Sequence, residues 1–253
     1  MHRFFVPNAA DKSETLALHG SEAHHALHVL RIRSGERVAV LDGRGREYSC
    51  EVQKISRQSL GLSVLEIKQH APPPCRTTLL QAVPKGKLIE TIVQKATELG
   101  VARVVPLLTE RVILQVDEED AGKKADKWQA VAIEAIKQCG APYLPEVPRP
   151  IWLSEFLARK EYFDLAFVGS LQPGSKHPHE HFVTFQAEHK RNPQSACIWI
   201  GPEGDFTPEE YRQIESSGAL PITLGPLVLR TDTAASYCLS FLNYELSAPF
   251  SSR

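Results

Sequence analysis

At 253 residues, with 42% hydrophobic and 23% charged side chains, the chain has enough apolar material for one large or two modest cores, which excludes a disordered or low-complexity polypeptide. Lys and Arg number 29 against 30 Asp and Glu, so any nucleic-acid surface must be a local patch and not a property of the whole chain. Five scattered cysteines form no C-x-x-C pair, no apolar run reaches membrane-span length and residues 1–7 lack the apolar core of a secretory signal. Buried free thiols, no membrane contact and a cytoplasmic location are therefore expected.

The first seventy residues read as a small β-rich domain interrupted by one helix. Ser21 is a candidate cap for a helix in which Ala23, Ala26, Leu27 and Leu30 recur at helical spacing, and Gly35 ends that region. Residues 37–41, 47–52 and 60–67 are strand-like. Asp42-Gly43-Arg44-Gly45-Arg46 lies between two strands, so it reads as a hairpin turn and not as a nucleotide-binding glycine loop, which a helix would follow. Arg44 and Arg46 at such a tip suit phosphate contact. His24 and His28, four apart, could share a metal, but no third ligand accompanies them and solvated or RNA-facing histidines are expected instead. Up to His70 there are ten Lys and Arg against eight Asp and Glu, with six of the ten histidines, an imbalance of the sign expected for an RNA-facing module.

Ala71-Pro72-Pro73-Pro74 is a stiff spacer that places a boundary between a domain of residues 1–71 and one of residues 75–253. The second begins with a strand at 77–83, the loop Pro84-Lys85-Gly86-Lys87 and a helix at 88–99. Lysines at a helix start oppose the macrodipole, so Lys85 and Lys87 suggest an anionic partner. Residues 101–108 form another strand. Lys123-Lys124 opens a helix whose stripe of Trp128, Val131, Ala132, Ala135, Ile136 and Cys139 is core, ending at Gly140. Residues 164–168 read as a strand ending at Gly169-Ser170. His177-Pro178-His179-Glu180-His181, beside Pro173-Gly174, reads as a flexible loop without a metal.

The densest stretch is 196–247. A strand at 197–200 breaks at Gly201-Pro202-Glu203-Gly204, and Thr207-Pro208-Glu209-Glu210 opens a helix with a capping box that stops near Gly218. A second strand at 221–224 ends in Gly225-Pro226, and Leu227-Val228-Leu229-Arg230-Thr231-Asp232-Thr233 leads into a helix reaching Ser247. Strand, loop, helix, repeated, puts both loops at the carboxyl ends of parallel strands, where open α/β sheets bind ligands, and glycines there allow close approach to the main chain.

Ile200-Gly201-Pro202-Glu203-Gly204-Asp205-Phe206, with residues 224–234, resembles the SPOUT methyltransferases, specifically the RsmE group that methylates uridine N3 of 16S ribosomal RNA. Met1-His2-Arg3-Phe4-Phe5, residues 24–31, Asp42-Gly43-Arg44-Gly45, Lys85-Gly86-Lys87, residues 94–101, Thr109-Glu110-Arg111 and residues 134–140 also look like blocks of that family. The resemblance implies an α/β SPOUT fold, mostly parallel with a deep trefoil knot, behind an N-terminal PUA-like β-barrel domain that binds RNA. It also implies S-adenosylmethionine as cofactor and no metal, the small ribosomal subunit as partner, and a homodimer, for which Tyr237, Phe241 and Tyr244 offer an aromatic ridge. Cofactor contacts are expected from Val168, Gly169 and Ser170, from Ile200, Gly201, Pro202, Glu203 and Gly204, and from Leu224, Gly225, Leu227, Leu229 and Thr233. RNA contacts are expected from Arg3, His24, His25, Arg31, Arg33, Arg44, Arg46, Lys85 and Lys87.

The sulfonium makes the methyl electrophilic, so the difficult partner is uridine N3, which is protonated at neutral pH. Arg230 is the expected stabiliser of the developing anion, with Glu203 or Asp232 as proton acceptor. The chain departs from the family pattern, which has arginine at the positions of Leu88, Ala141 and Leu227, serine at Val112 and glutamate at Asp232. Those departures keep two alternatives open: a non-catalytic RNA-binding or assembly factor, and a SPOUT enzyme acting at another RNA site, such as a ribose 2′-hydroxyl.

Overall fold

The computed structural model describes residues 1–9, 13–112, 118–172 and 174–247; Pro173 and the expected chain end at 248–253 lie outside them. Spatial contacts divide the chain into two units, Met1–Pro72 with Ile133–Leu144, and Pro73–Ala132 with Pro145–Arg253.

In the first unit, β1 (His2–Phe5), β2 (Thr15–Leu18), β3 (Arg37–Leu41), β4 (Arg46–Ile55) and β5 (Leu60–Gln69) form a sheet of order β1-β3-β4-β5-β2. β1 runs parallel to β3 and the other pairs are antiparallel. The four-residue strands β1 and β2 are too short to show a clear alternation in sequence. Asp42 closes the β3–β4 turn, its Oδ1 accepting the backbone N–H groups of Arg44 (2.7 Å) and Arg46 (3.0 Å). Alternate residues of β4, Tyr48, Cys50 and Val52, are fully buried with Phe4, Leu18 and Leu60 around them.

The helix α1 (Gly20–His24) starts one residue before Ser21, with His19 as its uncapped N-terminal residue, and passes at His25–Val29 into a π-helical turn. Leu30 N–H donates to His25 O, five residues back. The extra residue in that turn swings Val29 into solvent, while Ala23 and Ala26 stay buried. His24 and His28 lie ring against ring, with centroids 4.8 Å apart.

The second unit holds a six-stranded, wholly parallel sheet of order β11-β9-β10-β6-β7-β8, built from β6 (Arg76–Ala82), β7 (Arg103–Leu108), β8 (Ile151–Trp152), β9 (Leu165–Gly169), β10 (Ser195–Ile200) and β11 (Leu220–Ile222). Its helices are α2 (Leu88–Glu98), α3 (Glu118–Cys139), α4 (Leu153–Ala158), α5 (Pro178–His189), α6 (Pro208–Ser216) and α7 (Thr231–Ser247). β6 from Thr78 on and β10 from Ala196 on are buried on both faces, and Trp199 packs edge-on against Phe156, with centroids 5.4 Å apart.

Three readings from sequence need correction. α3 begins at Glu118, five residues before Lys123, and its buried stripe stops at Ile136, because Cys139 at its end is exposed; the other four thiols are buried. Burial pushes Cys50 and Cys75 up to about 11 and about 12. The segment read as a loop at 177–181 is the start of α5. His177 caps it, Nδ1 accepting His179 N–H (3.3 Å), while the Glu180 carboxylate accepts His177 N–H (3.3 Å) and Pro178 takes the first turn. Histidine is an unusual cap, which hid the signal. No helix among the described residues is long and apolar enough to cross a membrane.

Candidate functional site

Because β11, β9, β10 and β6 are parallel neighbours, the loops that follow them emerge along one edge of the sheet. Backbone bonds tie two of these loops together: Ser170 N–H to Ile222 O (3.0 Å) and Thr223 N–H to Lys176 O (3.0 Å). Between the loops lies a cavity of about 430 Å³, within the usual range for small-molecule sites, with mostly apolar walls including Ile200, Leu224 and Leu229. Among the described residues, the only charged side chains lining it are Glu203, Asp205 and Arg230.

The loop after β10 is held from several sides. Pro202 O accepts Asp205 N–H (2.9 Å), closing a tight turn. Lys85 N–H, at the entry to α2, donates to Glu203 Oε1 (3.0 Å). The Arg111 guanidinium donates to Gly204 O and, at 3.4 Å, to Phe206 O. Glu210, buried in α6, completes the predicted capping box with Thr207 and also accepts Glu110 N–H (2.8 Å). Thr231, buried at the start of α7, donates its hydroxyl to Gly201 O (2.7 Å) and accepts from Gln81 Nε2 (3.0 Å). Gln81 is fully buried, and its Oε1 has no partner. Ends of β6, β7 and β10 and starts of α2, α6 and α7 thus fix the single loop at 201–207.

Of the residues predicted to meet a cofactor, ten line the cavity, from all three loops. Val168 instead lies in the core beneath, Gly204 faces Arg111, and Thr233 is exposed on the first turn of α7. Leu88, Leu171, Asp205, Val228, Thr231 and Ala234 line it without having been singled out. Arg230 is exposed and forms no ion pair with Asp232 among the described residues. Asp232 does not line the cavity, and its Oδ1 is buried without a partner. Leu88 and Leu227 are on the lining, and among the described residues Arg230 is its only cation.

The candidate RNA residues fare unevenly. Arg3 is committed within its own unit, Nη1 donating to Gln138 O (3.3 Å), and Arg46 pairs with Asp42 (3.6 Å). His24, Arg31, Arg33 and Arg44 are exposed and His25 half-buried, while Lys85 and Lys87 are exposed on the second unit. No group of three His, Cys, Asp or Glu among the described residues could hold a metal.

Residues 71–243 match the family model described as an RNA methyltransferase domain, and residues 18–65 match that of an RNA methyltransferase PUA domain. The chain belongs to this RNA methyltransferase family, that of ribosomal RNA small subunit methyltransferase E. The enzyme of that name from Bacillus subtilis is 29% identical over 252 residues, covering 97% of each chain, and that from Aquifex aeolicus is 31% identical over 243 residues, covering 96% of this chain and 99% of the other. A methyltransferase from Legionella pneumophila, solved with bound S-adenosylmethionine, superposes with a TM-score of 0.86 at 32% identity, covering 96% of both chains. The Neisseria gonorrhoeae ribosomal RNA small subunit methyltransferase E, also solved with S-adenosylmethionine, gives 0.83 at 26% identity, covering 96% of this chain and 97% of that one. A PUA-like sheet domain followed by a parallel α/β domain is therefore the architecture this family shares.

Proposed function

We propose that this chain transfers a methyl group from S-adenosylmethionine to N3 of a uridine in 16S ribosomal RNA of the small subunit. The observation that carries the reading is the cavity built from three strand-end loops in a chain whose relatives were solved with that cofactor. Its volume, apolar walls and few convergent polar groups fit a nucleoside with a charged tail. At Gly225, φ is +102° and nothing lies within 4 Å of a built Cβ, which leaves main chain open to a ligand.

When bound, S-adenosylmethionine supplies a methyl carbon already made electrophilic by its sulfonium. The chain must then hold the uridine in line and remove its N3 proton. Glu203, with Oε1 occupied by Lys85 N–H, keeps Oε2 to accept that proton. Arg230, unpaired at the mouth, places its guanidinium where negative charge spreads over N3, O2 and O4. Asp232, off the lining, is the weaker candidate acceptor. RNA is gripped by exposed His24, Arg31, Arg33 and Arg44 of the PUA-like residues 1–71, with His25, Lys85 and Lys87 adding contacts; Arg3 and Arg46 chiefly brace structure. Residues 75–253 are the methyltransferase domain, with a knotted C-terminal segment, working in the cytoplasm.

We also propose a homodimer: of the aromatic ridge on α7, Tyr237 and Tyr244 are 46% and 80% exposed, while Phe241 is half-buried and packs edge-on against Phe167. The functional test is nucleoside mass analysis of 16S RNA from cells with and without the gene. Loss of N3-methyluridine supports the reading; loss of a 2′-O-methyl nucleoside, or no change, overturns it.

A further inference from the structure

Asp205 is one of five non-glycine residues with positive φ among the described residues, and the only one of them that lines the cavity. Its φ of 60° is a conformation that costs most side chains energy, though aspartate tolerates it better than most. Such an outlier points from structure toward function when something specific is gained by keeping the side chain. Here the gain is a placed carboxylate. Oδ1 accepts Phe206 N–H (2.8 Å) and lies over Gly201, where a Cβ would fall only 2.7 Å from it, so the group is packed into the cofactor loop and cannot swing freely. Oδ2 carries no hydrogen bond among the described residues. Beside the same cavity, Ser170 is buried, its Oγ accepting Gln172 N–H (3.0 Å) and facing the Tyr211 hydroxyl.

We infer that Asp205 binds the α-ammonium of the cofactor's amino-acid tail. The inference rests on the S-adenosylmethionine reading above and deepens it. An ammonium is a compact charge with three N–H donors that need acceptors at hydrogen-bond distance, whereas a sulfonium has no donor to satisfy. Among the lining carboxylates, Glu203 is exposed and already shares one oxygen with Lys85, while Asp205 is half-buried and held in place by its own loop.

The test compares three ligands by calorimetry on the full chain: S-adenosylmethionine, S-adenosylhomocysteine, which keeps the ammonium but has a neutral sulfur, and 5′-methylthioadenosine, which lacks the tail altogether. Asp205→Asn preserves size, the acceptor for Phe206 N–H and tolerance of positive φ; Asp205→Gly removes the carboxylate and relaxes the backbone. Both variants should bind the first two ligands about 10-fold more weakly, as loss of one partly exposed charged hydrogen bond requires, and bind methylthioadenosine as wild type does. Weakening of S-adenosylmethionine alone would place the carboxylate at the sulfonium and overturn the assignment. Equal weakening of all three would make Asp205 a scaffold residue, and no weakening would make it irrelevant; either sinks the proposal. Failure of the wild-type chain to bind any of the three would instead strike at the cofactor reading itself.

Discussion

Thr231→Val replaces a buried hydroxyl by a methyl of nearly the same size, so it tests the hydrogen bonds around the site without opening a cavity. Two bonds disappear, Thr231 Oγ1 to Gly201 O at 2.7 Å and Gln81 Nε2 to Thr231 Oγ1 at 3.0 Å. At ~1 kcal/mol each, with a further ~1–3 kcal/mol for leaving a buried donor unpaired, the gross cost is about 3–5 kcal/mol. Gly201 is only half-buried, and its carbonyl can turn to water. Gln81 has no such escape: it is fully buried, its other amide proton is held by Ala82 O (2.9 Å), and its Oε1 already lacks a partner. The net loss should be about 2–3 kcal/mol, a fall of roughly 5–10 °C in the melting temperature of a unit this size. Calorimetric melting reads the stability, and titration with S-adenosylmethionine reads the loop, which should bind more weakly once Gly201 is no longer tied to α7. Thr231→Ser, keeping the hydroxyl, should recover most of both. A valine variant within about 0.5 kcal/mol of wild type would mean that the Gln81–Thr231–Gly201 chain is incidental, and the account of how the loop is held would fail.

Arg230→Ala should keep S-adenosylmethionine affinity within a few-fold and an unchanged melt, yet lose about 10²-fold to 10³-fold in single-turnover methyl transfer to small-subunit RNA; a wild-type rate would make Arg230 structural. Arg111→Ala removes the clamp on Gly204 and Phe206 carbonyls and should weaken cofactor binding about 5-fold to 10-fold, discounted for the exposure of the arginine, with partial recovery in Arg111→Lys. The Arg191 guanidinium holds Asp164 down at about 2, helped by the Gln194 and Ser195 backbone N–H groups while burial opposes it. Since the folded value lies below the ordinary value near 4, its stabilisation is complete above about pH 4 and lost as pH falls toward 2. Acid melts of Asp164→Asn should therefore be flatter than wild type in that window. Tyr244→Asp should convert a dimer into a monomer by light scattering at micromolar concentration, and an unaltered dimer mass would move the interface elsewhere.

Much of the fold was legible because its signals are local. The capping box Thr207–Glu210, the helix stop at Gly100 and the apolar runs of β6, β7 and β10 each need only a few neighbouring residues to be recognised. What sequence left open needed partners distant in the chain. β11 pairs with β9 and β10 lies between β9 and β6, so the order of the sheet is not the order of the chain. Residues 133–144 belong with the first unit although they follow the proline spacer by sixty residues, and no linear boundary could assign them. The π-helical turn is invisible for a related reason, since Leu27 and Leu30 fit an ordinary helical stripe equally well until the extra residue is seen.

Around the cavity, the glycines of the three loops serve different structural ends. The sequence assigned Gly201 to close approach by a ligand, yet a Cβ there would meet Asp205 Oδ1, Asp205 Cα (3.2 Å) and Phe206 N (3.2 Å), all within its own loop. Gly201 is thus required first for the turn to close over a carboxylate, and a bulky substitution would deform the loop before it could test the cavity. At Gly225, by contrast, the backbone is left-handed and the space beyond it is open. The tethers follow the same division. Thr231, Gln81, Arg111 and Glu210 come from four separate stretches, and their long-range bonds have no local sequence signal. They matter because the loop's own bonds, from Glu203 and Asp205, are few, and surrounding elements must supply the rest of its rigidity. A sequence can show that such a loop exists; only the packed structure shows what keeps it in place.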